Sequence, residues 1–269
     1  MTRQIAGLGE IAGGFDAFLL DQFGVLHDGE RAFPGAVDCA TRLRALGRPV
    51  ALISNSGRRA GPNIARLAKL GFAPALFDAV VTSGEACRDR LAAMLADGRL
   101  APGAPVWLVA REGDLSVIEG LPLTRAGSPE TAVLALIAGR DADRRRFEED
   151  AADLAPLARL GVPCLCANPD LTMYSAGGAA PGPGALAKAY AAAGGRVTMF
   201  GKPDPALFRA ALARLGPFDP ARVLVVGDSP AHDVAGAKAA GFAALLVEGG
   251  VQGGETGEAA DYAAPGFVW

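Results

Sequence analysis

Four short stretches of this chain place chemistry-bearing side chains directly after apolar runs. In FLLDQFGVLHDG, Asp21 closes the run and is followed by Gly24 and a turn. In VLVVGDSPAHDV, Asp228 closes another, and Asp233 stands five residues on, where a helix begins. Two carboxylates on one strand–loop–helix junction, with Asp21 beside them, make a hard oxygen site suited to Mg²⁺ with waters and a substrate phosphate. In ALISNSG, Ser54 ends a run with Asn55 and Ser56 behind it, a set of hydroxyls, amide and turn N–H groups that could cradle a phosphate oxygen. In TMFGKPDP, Lys202, one of four lysines in an Arg-rich chain, follows a run and precedes Pro203. Each member has a plainer reading alone: Asp21 as a turn residue, Asp233 as a helix cap answering the dipole, Ser54 to Ser56 as ordinary turn residues, Lys202 as a solvated surface group. The joint pattern of carboxylate, hydroxyl, lysine and acidic pair is far more specific than any of them.

The runs that carry these residues belong to an alternation of short apolar segments with helical ones, the sign of a parallel sheet with crossover helices. Strands are expected at Ala17–Leu20, Val50–Ile53, Ala79–Val81, Val106–Ala110, Ala132–Ile137, Val162–Ala167, Val197–Phe200, Val223–Val226 and Ala243–Val247. Several are apolar at every position, as strands covered on both faces are. Helices are expected at 35–46, 62–71, 84–96, 141–160, 183–194, 205–215 and 231–240. In such a sheet ligands bind outside the carboxyl ends of the strands, where Asp21, Ser54, Lys202 and Asp228 all fall. DGRLAPGAP at 97–105 and SAGGAAPGPG at 175–184 read as linkers bracketing an inserted segment. The expected organisation is a Rossmann-like, doubly wound α/β core over 1–97 and 182–269, with an inserted α/β domain over 98–181.

The chain has 269 residues, 51% of them hydrophobic and 20% charged, with a net charge of −3. That composition excludes disorder, and its weak acidity argues against a nucleic-acid partner. No apolar run approaches the roughly 20 residues needed to span a bilayer, and the N-terminus lacks a secretory apolar core. A cytoplasmic protein with no membrane partner is expected. Cys39, Cys87, Cys164 and Cys166 read as small apolar residues rather than a disulfide framework or metal site.

The ordered motifs at Asp21, Ser54, Lys202 and Asp228/Asp233 resemble the haloacid dehalogenase-like superfamily, over about residues 15–250. The insertion lies where class II caps of that superfamily sit, and the NPD at 168–170 and PGPGALAKAY resemble its class IIA, NagD or nitrophenyl-phosphatase-like branch. The resemblance implies Asp21 as nucleophile, forming an aspartyl-phosphate, and as a Mg²⁺ ligand with Asp228, Asp233 and the backbone carbonyl of Phe23. It implies Ser54 and Lys202 as the grip on the phosphoryl group, helped by Asn55 and Ser56. The inserted cap, through Asn168 and Asp170, would select a small phosphorylated metabolite, and a homodimer through the cap is implied as well. Arg58 could meet an anionic substrate or be a surface arginine.

One position departs from the resemblance. The phosphatases of the superfamily carry a general acid two residues after the nucleophile, and here that residue is Phe23. Protonating an alkoxide leaving group is worth typically about 10²–10⁴ in rate, so its loss favours leaving groups of low pKa. His27 or Asp28 could stand in for the acid, or HDG could be a polar turn, and His232 reads as a helix-start residue. Three functions follow in order: a Mg²⁺-dependent phosphohydrolase biased to good leaving groups, a dehalogenase-type hydrolase using Asp21, and a catalytically weak phosphate-binding regulatory module.

Overall fold

The structure, a computed structural model, describes residues 2–251 and 259–269. Of the Gly-rich stretch that begins at Gly249, residues 252–258 lie outside the described residues. Two compact units divide the chain: one takes residues from 1–54, 60–81 and 202–269, the other 55–59 and 82–201. In chain order the strands are β1 (Arg3–Gln4), β2 (Ala17–Leu20), β3 (Val50–Ser54), β4 (Ala79–Thr82), β5 (Ala104–Val109), β6 (Leu123–Arg125) and β7 (Leu134–Ile137). They continue with β8 (Pro163–Cys166), β9 (Thr172–Ser175), β10 (Gly178–Pro181), β11 (Arg196–Met199), β12 (Val223–Gly227), β13 (Ala243–Val247) and β14 (Tyr262–Ala264). The helices are α1 (Ala36–Ala45), α2 (Ala60–Lys69), α3 (Ser83–Ala96), α4 (Phe147–Arg159), α5 (Pro183–Ala192), α6 (Pro205–Leu215) and α7 (Ala235–Ala240).

The first unit is built on a seven-stranded sheet of order β1-β14-β13-β12-β2-β3-β4. Its central strands, AFLL of β2 and VLVVG of β12, are buried at every position. On one side Phe18, Leu20, Leu52, Leu224 and Val226 join Cys39 and Leu43 of α1 and Leu67 of α2 in a single core. Helix α6 packs on β2 and β3, with Phe208 fully buried. Truncating one such leucine to Ala costs about 2–5 kcal/mol. Strand order runs outward from β2 through β3 in one direction and from β12 through β13 in the other, which makes the β2/β12 boundary a topological switch point. Asp204 caps α6, accepting from the Ala206 N–H at 2.9 Å with Pro205 in the first turn, and Gly241 ends α7 at φ +85°. The expected helix at 231–240 opens as a π-turn over Pro230–Val234 before α7.

The second unit holds a parallel five-stranded sheet of order β11-β8-β7-β5-β6 and a separate antiparallel pair, β9 with β10. Alternate residues of β7 serve two cores, as the two-residue period of a strand requires. Leu134 and Leu136 pack with Cys87, Leu91 and Met94 of α3, while Ala135 and Ile137 pack with Leu154 and Leu157 of α4 and Leu186 and Tyr190 of α5. The compact units divide the chain differently from the expected 98–181. Helix α3 belongs to the second unit because its apolar face is buried against β5 and β7, and the unit extends to 201 because β11 pairs with β8. SAGGAAPGPG is not a linker: it carries β10 and the first turn of α5. The helix expected over 141–160 starts at Phe147. At the C-terminus Phe267 is buried, and the Val268 carbonyl accepts the Leu8 N–H at 2.8 Å. Among the described residues no helix is long and apolar enough to cross a membrane.

Candidate active site

The register of the first sheet sets the site. Leu20 lies opposite Val226, and the Asp21 N–H continues the ladder by donating to the Val226 carbonyl at 2.9 Å. Asp21 therefore leaves β2 level with Gly227, and Asp228 follows one residue later from β12. Asp233 is brought back by the π-turn, whose start is fixed by the Ser229 N–H donating to Asp233 Oδ2 at 3.2 Å and the His232 N–H donating to Ser229 Oγ at 3.3 Å. Each of Asp21, Asp228 and Asp233 offers one carboxylate oxygen within 4.8 Å of the others, and all three are buried. Lys202 Nζ is 2.8 Å from Asp21 Oδ1 and 2.7 Å from Asp233 Oδ1, with 3% of the residue exposed.

The electrostatics follow from burial and count. Burial pushes the Asp21 carboxyl well above the usual carboxylate range; Lys202 pulls it down, and the Asp233 and Asp228 charges push it further up. Burial also works against the Lys202 charge, but Asp21 and Asp233 overcome it and hold the ammonium above the ordinary lysine range. Three carboxyl groups converge with this ammonium in a buried cluster, an arrangement that suits a divalent cation.

The packing around the carboxylates fits such an ion. Gly24 sits at φ +92°, and a Cβ built there would lie 1.9 Å from Asp228 Oδ2. A Cβ on Gly250 would lie 2.3 Å from Asp228 Cβ, and one on Gly227 would lie 2.1 Å from Asp233 Cγ. Glycine at these three places lets backbone close directly on the acidic groups. Hard oxygens from Asp21, Asp228 and Asp233 are the donor set Mg²⁺ takes.

Ser54, buried, ends β3, the strand paired with β2. Asn55 and Ser56 fall in the short segment that packs with the second unit. The Asn55 amide donates to Asp170 Oδ1 at 2.7 Å, Ser56 Oγ accepts the Arg58 N–H at 3.3 Å, and the Ser56 carbonyl accepts the Gly84 N–H at 3.0 Å. Asn168 Oδ1 accepts the Asp170 N–H at 2.9 Å, which shapes the NPD turn. Arg58 is held in ion pairs with Glu112 and Asp114, each at 2.9 Å.

Phe23 is half-buried, its ring edge-to-face with His27 at 6.0 Å between centroids. His27 is 2% exposed, and its Nδ1 accepts the Gly29 N–H at 2.9 Å, which leaves the proton on Nε2. Burial and the Arg66 charge lower its pKa to about 4, against a smaller opposite pull from Asp28, so the imidazole is neutral at pH 7. Asp28 is exposed and spends Oδ1 on the Glu30 and Arg31 N–H groups. These two residues build the turn after Phe23.

The motif reading missed Ser83, Gln22 and Gly201. Ser83 opens α3 after Thr82, whose hydroxyl accepts the Glu85 N–H at 3.0 Å; the T-x-x-E spacing that marks this start is visible in the sequence. Gln22 is buried beside Asp21 with its Nε2 outside any hydrogen bond. Gly201 sits at φ +129°, where a built Cβ would lie 2.4 Å from Ser83 Oγ, a close approach that no local spacing announces. The four cysteines are free and buried, and burial pushes the Cys39 and Cys166 thiols up to about 12.

Comparison with known proteins gives consistent findings. Residues 18–123 match the family described as haloacid dehalogenase-like hydrolase, and residues 199–268 match one described as HAD-hydrolase-like. Chronophin of Homo sapiens is 33% identical over 263 residues, covering 91% of this chain and 85% of chronophin. A hydrolase of the haloacid dehalogenase-like family from Brucella suis 1330 superposes with a TM-score of 0.86 at 28% identity, covering 98% of this chain and all of that one. A glycerol phosphate phosphatase from Mycobacterium tuberculosis, solved in complex with magnesium, superposes with a TM-score of 0.69 at 32% identity, covering 90% of this chain and 70% of that one.

Proposed function

The chain belongs to the haloacid dehalogenase-like family of hydrolases, and from that premise we propose that it is a Mg²⁺-dependent phosphatase of small phosphorylated metabolites, biased to leaving groups of low pKa. Within the family we place it in the class IIA, nitrophenyl-phosphatase-like branch. The observation that carries the reading is the Lys202 ammonium set between Asp21 and Asp233 in a buried three-carboxylate cluster. Asp21, Asp228, Asp233 and the Phe23 carbonyl would hold the ion, which when bound supplies positive charge against the phosphate and keeps Asp21 ionised.

Asp21 attacks phosphorus, forming the carboxylate O–P bond as the bond to the leaving oxygen breaks. The Ser54 hydroxyl and Lys202 hold the equatorial oxygens, with Lys202 offsetting their charge. Water then cleaves the aspartyl-phosphate, releasing inorganic phosphate and restoring Asp21. Phe23 offers no proton to the leaving oxygen. His27 is neutral with Nδ1 occupied, and Asp28 is spent on its turn. Aryl and acyl phosphates need that proton least. A dehalogenase-type reaction would accommodate Phe23 but has no use for the Asp228/Asp233 pair.

The second unit supplies substrate selection, and a homodimer through it, a cytoplasmic setting and no nucleic-acid partner complete the proposal. Four unpaired cysteines suit a reducing compartment. Steady-state turnover of p-nitrophenyl phosphate, acetyl phosphate and a sugar phosphate, with Mg²⁺ and with chelator, tests it. Metal-dependent turnover of the first two above the third, abolished by Asp21→Asn in a folded protein, is expected. Unchanged hydrolysis by Asp21→Asn would refute Asp21 as nucleophile.

A further inference from the structure

The Asn55 side chain follows Ser54 and is already committed to protein. Its Nδ2 donates to Asp170 Oδ1 at 2.7 Å, and its Oδ1 accepts the Ser83 hydroxyl at 3.5 Å. Asn55 and Ser83 are buried. Gly201, which precedes Lys202, lies against the same amide. It sits at φ +129°, and a Cβ built there would stand 2.4 Å from Ser83 Oγ, 2.6 Å from Asn55 Oδ1 and 2.7 Å from Pro169 Cδ. One side-chain amide thus touches the chain neighbours of two groups that grip phosphate.

Asp170 is itself fixed. Its N–H donates to Asn168 Oδ1, and its carbonyl accepts the Gly184 N–H, both at 2.9 Å. The backbone of α5 approaches this turn so closely that a Cβ on Gly182 would lie 2.3 Å from the Asp170 carbonyl oxygen, and one on Gly184 2.0 Å from that of Pro169. A carboxylate held this firmly dictates where its amide partner lies. The hydrogen bond is charge-assisted and half-buried, in the stronger class of such bonds.

We infer that Asp170 is a positioning residue for phosphoryl transfer: by fixing Asn55 it sets the backbone that carries Ser54 on one side and Gly201–Lys202 on the other. This rests on the phosphatase reading above, and it replaces direct substrate contact as the role of Asn55 and Asp170.

The test is steady-state kinetics on p-nitrophenyl phosphate with Mg²⁺, using Asp170→Ala, Asn55→Ala, their double variant, Asn55→Asp, and the exchanged pair Asn55→Asp/Asp170→Asn. Asp170→Ala is expected to lower kcat about tenfold, the scale of one lost charge-assisted hydrogen bond, with KM within about twofold. The double variant should be no worse than the worse single, because both remove one interaction. The exchanged pair should recover most of the activity lost in Asn55→Asp, since donor and acceptor only trade places. Multiplying losses, an effect confined to KM, or an unaltered kcat in Asp170→Ala would overturn the inference. If Asp170→Ala does not fold, Asn55→Asp against the exchanged pair decides, and absence of rescue overturns it. A wild-type chain that turns over no phosphate ester would overturn the phosphatase reading, and the inference with it.

Discussion

The Lys202 ammonium lies 2.8 Å from Asp21 Oδ1 in a place where neither side chain reaches solvent to any extent, at 4% and 9% exposed. The same nitrogen is 2.7 Å from Asp233 Oδ1, so one cation spans the end of β2 and the turn after β12. The ammonium bridges the two carboxylates, and in the proposed function it is also the charge a transferring phosphoryl group meets. Removing it exposes two unpaired buried carboxylates to each other.

Lys202→Met is therefore expected to be costly in two measurable ways. Leaving a buried partner uncompensated destabilises by about 3–5 kcal/mol, read as a lower urea midpoint in metal-free buffer. Turnover of p-nitrophenyl phosphate should fall by about 10²–10³, the scale of one lost electrostatic contact to the transition state. Lys202→Arg should not rescue either, since a planar fork does not occupy the place of a point ammonium between two oxygens. A variant with wild-type stability and turnover would show that the contact does neither job.

Gly24→Ala tests the packing around the ion site. The new Cβ would lie 1.9 Å from Asp228 Oδ2, on a backbone at φ +92° that alanine disfavours. Asp228 must shift, so the Tm gain on adding saturating Mg²⁺ should shrink, and the metal concentration for half-maximal activity should rise at least about tenfold. Titration of activity and Tm against Mg²⁺ measures both. An unchanged metal dependence would mean Asp228 is not a ligand.

The carboxylates and the sheet that presents them were legible in sequence because one physical signal carried both. AFLL and VLVVG are apolar at every position, as strands covered on both faces are, and each is followed by an acidic residue that burial makes expensive to keep. β10 was not legible: Gly178, Ala179 and Ala180 are too small to show a two-residue alternation, and its pairing with β9 is what orders it. Nor were the extended reach of the second unit and the place of Gly201. β11 belongs to its sheet through Val197 opposite Cys164, and Gly201 matters through Asn55; both depend on partners far along the chain.

His27 gives the fold a pH signature. Its pKa is lowered to about 4 by burial and then by Arg66, against about 6.5 in an unfolded chain. Between those values the unfolded state binds the extra proton, so the contribution is full above about pH 6.5, declines as pH falls toward 4, and levels off below. The amount is on the order of 3 kcal/mol. His27→Asn, whose side-chain oxygen can still accept the Gly29 N–H, should remove this part of the acid dependence. Urea unfolding of both proteins from pH 7.5 to 4 measures it, and parallel profiles would mean His27 is not buried neutral.

The proposed function makes Phe23 the residue that decides which esters leave well. The ring is half-buried against His27, so the position is filled by packing that has no proton to give. A carboxylic acid introduced as Phe23→Asp would stand two residues from Asp21, on the turn that leads to Gly24, where a leaving oxygen of high pKa gains from protonation. General acid catalysis is worth about 10²–10⁴ when fully in place, and a single substitution at a position now held by a ring recovers a fraction of that. The ratio of kcat/KM for a sugar phosphate to that for p-nitrophenyl phosphate should rise at least about tenfold in Phe23→Asp. The ratio is the informative quantity, because a general loosening of the pocket lowers both substrates together and leaves it unchanged. A rise in both by the same factor would assign Phe23 to hindering access. A constant ratio with lower activity would assign it to packing.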